Sequence, residues 1–381
     1  MIPYGRQHID DADIAAVIEV LRSPMLTGGP AVAAFEEQLA ARVGARYASA
    51  CANGTAALHL VYAALGFGPG DEIITTPITF SATAAAAYYV GASVRFADVD
   101  PATGNLDPAS IEALVTPRTR AIVPVHLGGQ PADLDQIHAI AKRHDLHVIE
   151  DACHALGGAY RGSAIGGGTS IATVFSFHPV KHVTTGEGGA IVTNNEKLKR
   201  QLDKLRAHGI ERDPAQMATH EGAWSYEVQE LGWNYRLSDL QCALGISQLA
   251  KLDRFIARRR EIADLYRAKL SPSIVAPKEK ADRIHAYHLF QVAIDFDAHD
   301  TTRAKVCEDL AKRGVGTQVH YIPLLAHPLH AQRCPDEVAR PRPGADHFYA
   351  RTLSLPMFPA MTDADVAFVV AQLHAVLGDS L

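Results

Sequence analysis

Short β-rich runs alternate with helical patterns over the first two-thirds of the chain, and this alternation constrains the fold more than any other feature. The candidate strands are residues 47–50, 71–75, 93–98, 120–125, 146–150, 172–176 and 189–193. The candidate helices are residues 11–22, 31–42, 55–65, 107–115, 133–144 and 196–207. Strands separated by helices of this length need crossover connections, so the sequence predicts a mostly parallel sheet with helices on both faces. Such sheets bind ligands at the carboxyl ends of their strands.

The pattern changes after residue 237, where two helices are expected before residue 270. The elements that follow are a Pro- and charge-rich stretch, a strand, a helix, a short strand and a final helix, at residues 271–284, 287–294, 301–313, 317–321 and 363–376. This series predicts a smaller C-terminal α+β domain. We therefore expect a large domain over 1–250, including the N-terminal segment, and a small domain over 251–381.

Composition excludes several classes of protein. The chain has 381 residues, of which 48% are hydrophobic and 20% are charged, as is typical of a globular protein. Its net charge of −6 argues against a nucleic-acid surface. No apolar run reaches the length of a membrane span, and residues 1–8 do not resemble a secretory signal. The five cysteines lack CxxC spacing and indicate free thiols, so we expect a cytoplasmic protein that binds neither nucleic acid nor membrane.

Two motifs that resemble ligand sites are better interpreted as a loop and a turn. The 19 histidines include no HExxH spacing, and His327 and His330 lie in a proline-broken stretch, so a surface loop is favoured over a metal site. The glycine run at 66–70 follows a helix and precedes a strand, the reverse of a dinucleotide fingerprint. We interpret it as a turn, and we expect no metal site.

The segment from Phe175 to Gly189 points to a specific chemistry. It places a single lysine, Lys181, between an apolar strand and a Gly/Thr turn, with the hydroxyl of Ser176 five residues earlier. An aldehyde cofactor needs an amine that forms a Schiff base and nearby donors that hold an anionic group. Local spacing alone leaves a solvated loop lysine as the alternative.

Two further residues follow the predicted strand at 146–150. Asp151 could cap the next turn, or its carboxylate could keep a pyridine nitrogen protonated so that the ring acts as an electron sink. His154 could support the ring hydroxyl or the phosphate of such a cofactor, or it could be a core histidine.

A helix is expected to begin after Asn53, which precedes Gly54 and Thr55. Free N–H groups at a helix start bind phosphate, and glycine allows close approach, although a plain N-cap would have the same sequence. Phe80, at the start of another helix, could stack on a flat ring or simply belong to the core.

Taken together, these segments resemble the DegT/DnrJ/EryC1/StrS sugar aminotransferases, which use pyridoxal 5'-phosphate in the aspartate-aminotransferase fold (fold type I). The motifs that carry the resemblance are Leu26-Thr-Gly-Gly-Pro, Asn53-Gly-Thr-Ala-Ala-Leu, Glu150-Asp-Ala-Cys-His-Ala, Phe175-Ser-Phe-His-Pro-Val-Lys, Gly186-Glu-Gly-Gly, Arg206-Ala-His-Gly, Gly232-Trp-Asn-Tyr-Arg-Leu and Gln318-Val-His-Tyr. The resemblance extends from Tyr4 to about Pro356. It implies an α/β large domain with a mostly parallel seven-stranded sheet and a smaller C-terminal domain.

The resemblance also implies roles for the residues. Lys181 and Asp151 would be catalytic, and the cofactor would be bound by Gly54, Thr55, Phe80, Asp151, His154, Ser176, Lys181 and, from the neighbouring subunit of a homodimer with shared active sites, Asn234. L-Glutamate would be the amino donor and a nucleotide-linked keto sugar the acceptor. His182 departs from the family pattern, in which Asn or Pro is commoner after the lysine.

Within the family, one branch is most similar: the enzymes that aminate a UDP-linked 4-keto-6-deoxy sugar in pseudaminic acid synthesis. By that likeness the sugar nucleotide would contact Tyr4, Pro24, Met25, Leu26, Thr27, Gln318, Val319, His320 and Tyr321. GDP-perosamine-type and UDP-4-keto-arabinose aminotransferases remain alternatives. A non-catalytic regulator that binds the cofactor or a nucleotide sugar is an alternative of another class. A nicotinamide-dependent epimerase or dehydratase is a third alternative, but the chain lacks the GxGxxG unit that such an enzyme needs.

Overall fold

The computed structural model describes residues 1–379. Its α-helices are α1 Asp11–Arg22, α2 Pro30–Val43, α3 Gly54–Ala64, α4 Ala82–Tyr89, α5 Leu134–Arg143, α6 Glu196–Leu205, α7 Asp239–Leu249, α8 Leu252–Lys269, α9 Arg303–Lys312, α10 Pro328–Arg333, α11 Pro335–Val338, α12 Pro343–Arg351 and α13 Asp363–Leu377. Its strands are β1 Tyr47–Cys51, β2 Glu72–Thr75, β3 Ser93–Phe96, β4 Thr119–Ile122, β5 His147–Asp151, β6 Ala159–Tyr160, β7 Ser163–Ala164, β8 Ala172–Ser176, β9 Gly189–Thr193, β10 Ile210–Glu211, β11 Glu227–Val228, β12 Ile274–Val275, β13 Arg283–Ile284, β14 Phe290–Ile294 and β15 Thr352–Leu355. None of the helices in this part of the chain is long and apolar enough to cross a membrane.

A seven-stranded sheet forms the centre of the molecule, in the order β1-β9-β8-β5-β4-β2-β3. Strands β3, β2, β4, β5 and β8 run parallel, whereas β9 pairs antiparallel with both β8 and β1. The strand residues are almost entirely buried, as is expected for a sheet that helices cover on both faces. The predicted mostly parallel sheet is therefore confirmed. Because β5 and β8 are neighbours, Asp151 and Ser176 lie at the same edge.

The C-terminal region has its own apolar core. A three-stranded antiparallel sheet, β12-β14-β15, packs with helices α8, α9 and α13. Residues 1–5 join this region, since Ile2 bridges to Val315 and the backbone N–H of Met357 donates to the carbonyl of Tyr4. The ring of Tyr4 lies next to that of His320, in the 318–321 segment.

Three local predictions were wrong. The expected helix at 107–115 consists of two 3-10 turns, Pro108–Ser110 and Glu112–Leu114. The expected strand at 317–321 forms only an isolated bridge between Gln318 and Ser354, since the following side chains turn into a cavity. The stretch around Pro328 begins helix α10 rather than a surface loop.

Candidate active site

A cavity of about 710 Å³ opens at the carboxyl ends of β5 and β8 and at the N-terminus of α3. This is the edge at which parallel sheets bind ligands. The cavity brings together twelve of the residues named from the sequence, namely Tyr4, Gly54, Thr55, Phe80, Asp151, His154, Ser176, Lys181, Gln318, Val319, His320 and Tyr321. They come from segments that are far apart in the chain, so the clustering is a property of the fold.

Lys181 lies in the turn after β8, where its backbone N–H donates to the carbonyl of His178. Its Nζ lies 3.4 Å from Nε2 of His288. Burial lowers the pKa of Lys181 below its ordinary value, although the nearby Cys153 and Asp151 act in the opposite direction. A solvated loop lysine, the alternative that the sequence allows, would have an exposed side chain and an ordinary pKa. Lys181 has neither. A lowered pKa leaves a larger fraction of Nζ unprotonated near neutral pH, and only the unprotonated amine can accept a proton.

Asp151 ends β5 and is 5% exposed. Its Oδ2 accepts a hydrogen bond of 2.7 Å from Oγ1 of Thr83 on α4, and its Oδ1 accepts one of 3.2 Å from the backbone N–H of Cys153. The second bond caps the turn after β5, which is one of the two roles that the sequence allows for Asp151. The first fixes the carboxylate from an element outside the turn, so capping alone does not explain the residue.

The N-terminus of α3 offers a cradle for an anion. Oδ1 of Asn53 accepts from the N–H of Ala56, which leaves the N–H groups of Gly54 and Thr55 ahead of the first intrahelical acceptor. A Cβ on Gly54 would lie 3.1 Å from Cβ of Ser176 and 3.2 Å from Sγ of Cys153. Glycine therefore allows the helix start to approach the end of β8, where the Ser176 hydroxyl adds a donor.

His154 is held in one tautomer by two contacts. Its Nδ1 accepts from the N–H of Gly128 at 3.3 Å, so the neutral ring carries its hydrogen on Nε2 and donates it to Oη of Tyr321 at 3.1 Å. Burial and the nearby Lys181 hold the pKa of His154 well below its usual value. The ring is therefore neutral, and it joins the base of the cavity to the 318–321 segment.

The mouth of the cavity is partly aromatic. The ring of Tyr4 lies 5.5 Å from that of His320, and Phe80 lies 6.2 Å from Tyr321. Phe80 is 60% exposed and lines the cavity, which rules out the core role that the sequence left open. An exposed aromatic ring at this position is free to stack on a flat ligand.

Five residues named from the sequence lie outside this cavity: Pro24, Met25, Leu26, Thr27 and Asn234. The first four form an exposed segment that contacts the start of α7, where Thr27 bridges to Ser238 and the carbonyl of Leu26 accepts from the N–H of Asp239. Asn234 is exposed and bridges to Ala207. A single chain does not bring these five residues to the cavity.

The sequence reasoning missed three residues of the site: Thr83, Cys153 and His288. Thr83 and Cys153 contact Asp151, and His288 contacts Lys181. The only signal for Cys153 was its position between Asp151 and His154. Nothing in the local sequence marks Thr83 or His288, because both reach the site through long-range packing.

The DegT/DnrJ/EryC1/StrS aminotransferase family matches residues 7–374 of the chain. The protein belongs to this family. The aminotransferase is 41% identical to the spore coat polysaccharide biosynthesis protein SpsC of Bacillus subtilis over 379 residues, which cover 99% of this chain and 97% of SpsC.

Solved structures agree with this assignment. PseC from Helicobacter pylori, an aminotransferase involved in the biosynthesis of pseudoaminic acid, is 32% identical with a TM-score of 0.92, and the match covers 99% of each chain. Spr1654 from Streptococcus pneumoniae in its PLP form is 26% identical with a TM-score of 0.90, covering 99% of this chain and 98% of that one. The aminotransferase therefore has the fold type I architecture and is a sugar aminotransferase.

Enzymes of this family use pyridoxal 5'-phosphate, and the cavity fits that cofactor. It contains an amine of lowered pKa, a fixed carboxylate, an exposed aromatic ring and a cradle of donors that a Cβ on Gly54 would fill. These groups match the aldehyde, the pyridine nitrogen, the ring and the phosphate of the cofactor, respectively.

Proposed function

We propose that this aminotransferase moves an amino group from L-glutamate to the 4-keto carbon of a UDP-linked 4-keto-6-deoxy sugar, as in pseudaminic acid synthesis. The observation that carries the proposal is that one cavity contains both the residues that fit the cofactor and residues expected to bind the sugar nucleotide. Lys181 and Asp151 lie with the cofactor-fitting residues, while Tyr4 and residues 318–321 line the same cavity. The similarity to PseC supports the choice of sugar.

Each residue near the cofactor has a proposed task. Bound pyridoxal phosphate supplies an electron sink that stabilises the carbanion left when an α-proton is lost. The N–H groups of Gly54 and Thr55 and the hydroxyl of Ser176 bind the phosphate. Asp151 holds a proton on the pyridine nitrogen through its carboxylate.

Proton transfer is assigned to Nζ of Lys181. As the free amine, Nζ would take the α-proton of glutamate, and as the ammonium it would pass that proton to the cofactor, so that the lysine ends the half-reaction neutral. Burial lowers the pKa of Lys181, so a larger fraction of the amine is neutral near pH 7 than for an exposed lysine. His154 stays neutral and keeps Tyr321 oriented through the bond between Nε2 and Oη.

Acceptor binding is assigned to the cavity mouth. Tyr4, His320 and Tyr321 offer polar and aromatic surfaces for uracil, pyrophosphate or sugar hydroxyls, with Gln318 and Val319 beside them. The nucleotide adds binding energy remote from the ketone, which orients the reacting carbon. A cavity of about 710 Å³ is of the size that holds small-molecule ligands.

The exposed segment 24–27 and Asn234 lie outside the cavity of their own chain. We assign them to the cavity of the partner in a homodimer, Asn234 at the phosphate and residues 24–27 at the sugar nucleotide. Their exposure in the single chain supports this assignment, since residues that serve a neighbouring subunit are uncovered until it binds.

A substrate panel tests the proposed reaction. The purified enzyme is incubated with L-glutamate and 4-keto-6-deoxy sugars linked to UDP, GDP or dTDP, together with UDP-4-keto-arabinose, and the amino sugar is detected by mass spectrometry. The proposal predicts turnover of the UDP-linked 4-keto-6-deoxy N-acetyl sugar. Efficient turnover of GDP-4-keto-6-deoxymannose without the UDP sugar would place the enzyme in the perosamine branch, and no half-reaction with glutamate would favour a regulator.

A further inference from the structure

A buried histidine, His288, contacts the amine of Lys181 from the C-terminal region of the chain. His288 lies just before β14, is 4% exposed and lines the cavity beside Lys181. Its Nε2 lies 3.4 Å from Nζ. This distance is at the long end for a hydrogen bond, as is common for catalytic contacts before a substrate binds.

Packing alone does not explain a histidine at position 288. Within residues 1–379, its Nδ1 is buried and has no hydrogen-bond partner. A phenylalanine or leucine would fill the same space without leaving a buried polar atom unpaired. Among the described residues, the only hydrogen-bond contact of the ring is the one with the lysine amine.

The backbone that carries His288 is held by a buried guanidinium. Arg259, on α8, is 1% exposed, and its Nη1 donates to the carbonyls of Tyr287, His288 and Met357 at 3.0, 3.2 and 3.0 Å. These bonds fix the chain on both sides of the histidine ring's attachment point. The backbone at His288 is thereby held by contacts within the C-terminal region, independently of the loop that holds Lys181.

We propose that His288 is a positioning residue for Lys181, with Nε2 accepting a hydrogen bond from Nζ and holding the free amine in one orientation. An amine keeps N–H donors in both protonation states, so the contact persists when Nζ gains or loses a proton. The neutral ring then carries its hydrogen on Nδ1. This inference rests on the role proposed above for Lys181.

Other groups around the pair keep the ring in the neutral form. Burial holds the pKa of His288 well below its usual value, and the positive charges of Lys181 and Arg259 act in the same direction. The rings of His154 and His182 lie 4.4 and 5.5 Å from that of His288, and burial keeps both of them neutral as well. The acidic groups near Lys181 are Asp151 and the Cys153 thiol, whose own pKa burial raises far above its usual value. His288 therefore accepts a bond from Nζ without competing for its proton.

The test measures the amine directly in the full-length protein freed of cofactor. Lys181 is labelled with trinitrobenzenesulfonate over a range of pH, and the labelled peptide is quantified by mass spectrometry for wild type, His288→Phe, His288→Gln and His182→Gln. His182 is the matched control, because it is equally buried but its Nε2 donates to the carbonyl of Ala286 and accepts no hydrogen bond from Nζ.

In His288→Phe the ammonium loses its acceptor, so the midpoint of labelling should fall by about one pH unit. His288→Gln keeps a carbonyl acceptor and should stay closer to wild type, as should His182→Gln. In the loaded enzyme, His288→Phe should slow the glutamate half-reaction about tenfold with little change in the KM for glutamate. A folded His288→Phe protein with the wild-type labelling midpoint would overturn the proposal.

A second measurement needs no variant. In ¹⁵N-histidine NMR of the wild-type protein, His288 should be the Nδ1–H tautomer, and an Nε2–H tautomer would contradict the proposal. Failure of this inference is separable from failure of the proposed function. If borohydride fixes the cofactor on Lys181 but the labelling midpoint ignores position 288, only the role of His288 is wrong.

Discussion

At the scale of single residues, the site depends on contacts that fix a few reactive atoms. Asp151 is the clearest case, because its two carboxylate oxygens accept bonds from Thr83 and from the N–H of Cys153. These bonds leave the carboxylate directed by the fold rather than by solvent. A residue held in this way can face a cofactor in a constant orientation.

Asp151→Asn should keep the fold and lower turnover by at least about a hundredfold, because an amide cannot hold a proton on the pyridine nitrogen. Thr83→Val removes one hydrogen bond to the carboxylate and should lower turnover only about fivefold. Steady-state rates and thermal melting of both variants make the comparison. Near-normal turnover in Asp151→Asn would rule out the proposed role.

Tyr321→Phe removes the hydroxyl that accepts from Nε2 of His154. We expect a several-fold higher KM for the sugar nucleotide and a glutamate half-reaction that is nearly unchanged, because we propose that this hydroxyl contacts the sugar nucleotide and not the amino donor. Single-turnover measurements of each half-reaction separate the two effects. Equal damage to both would mean that Tyr321 serves the cofactor through His154.

At the scale of elements, β5 shows how one strand serves both stability and chemistry. Successive side chains of a strand point to opposite faces, so Glu150 and Asp151 enter different environments. Glu150 is 1% exposed and lies 2.8 Å from Nε2 of His126, with Oγ1 of Thr173 as a second donor. Burial alone would raise the pKa of Glu150, but the bond from His126 brings it below its usual value.

Because the pKa of Glu150 is lower in the folded state, its stabilisation is present above the unfolded value and is lost as pH falls through the folded value. Glu150→Gln should cost about 2 kcal/mol of unfolding free energy at pH 7. The difference from wild type should shrink as the pH falls below 4.5, the ordinary value for a glutamate. Urea titrations of both proteins at pH 7 and below pH 4.5 check this prediction. A difference in unfolding free energy that is the same at both pH values would contradict it. Glu112→Gln, at an exposed ion pair with Arg143, is the control and should change little.

The elements also show what the sequence could predict. The strands of the large sheet were predicted correctly because buried parallel strands have short apolar runs in their sequence. Lys181, Asp151 and Ser176 were chosen as candidate site residues because they lie at or after the ends of such runs. Strand β15 and helices α10 to α12 were missed, because they are short and their formation depends on packing against distant parts of the chain. His288 was missed for the same reason: its contact with Lys181 spans 107 residues.

At the scale of the whole molecule, the site is assembled from remote parts of the chain. The N-terminal Tyr4, the edge of the large sheet and the 318–321 segment meet at one cavity. The domain boundary near residue 250 remains a prediction. Because Asn234 and residues 24–27 lie outside the cavity of their own chain, we infer that the complete site needs two copies.

Mixing inactive variants tests the shared site. Lys181→Ala and Asn234→Ala proteins, unfolded and refolded together, should recover up to about a quarter of the activity of the wild type, because half the dimers are mixed and each mixed dimer keeps one intact site. Each variant refolded alone is the control. An active monomer in analytical ultracentrifugation at assay concentration would contradict the shared site.

The central claim, that Lys181 carries the reaction, is tested most directly by borohydride reduction of the cofactor-loaded enzyme followed by peptide mapping. The protein should be yellow before reduction, and the cofactor should then be found on the peptide that contains Lys181. Lys181→Ala should retain no reducible label there and should not turn over. A label on any other lysine of the wild-type protein would contradict the account.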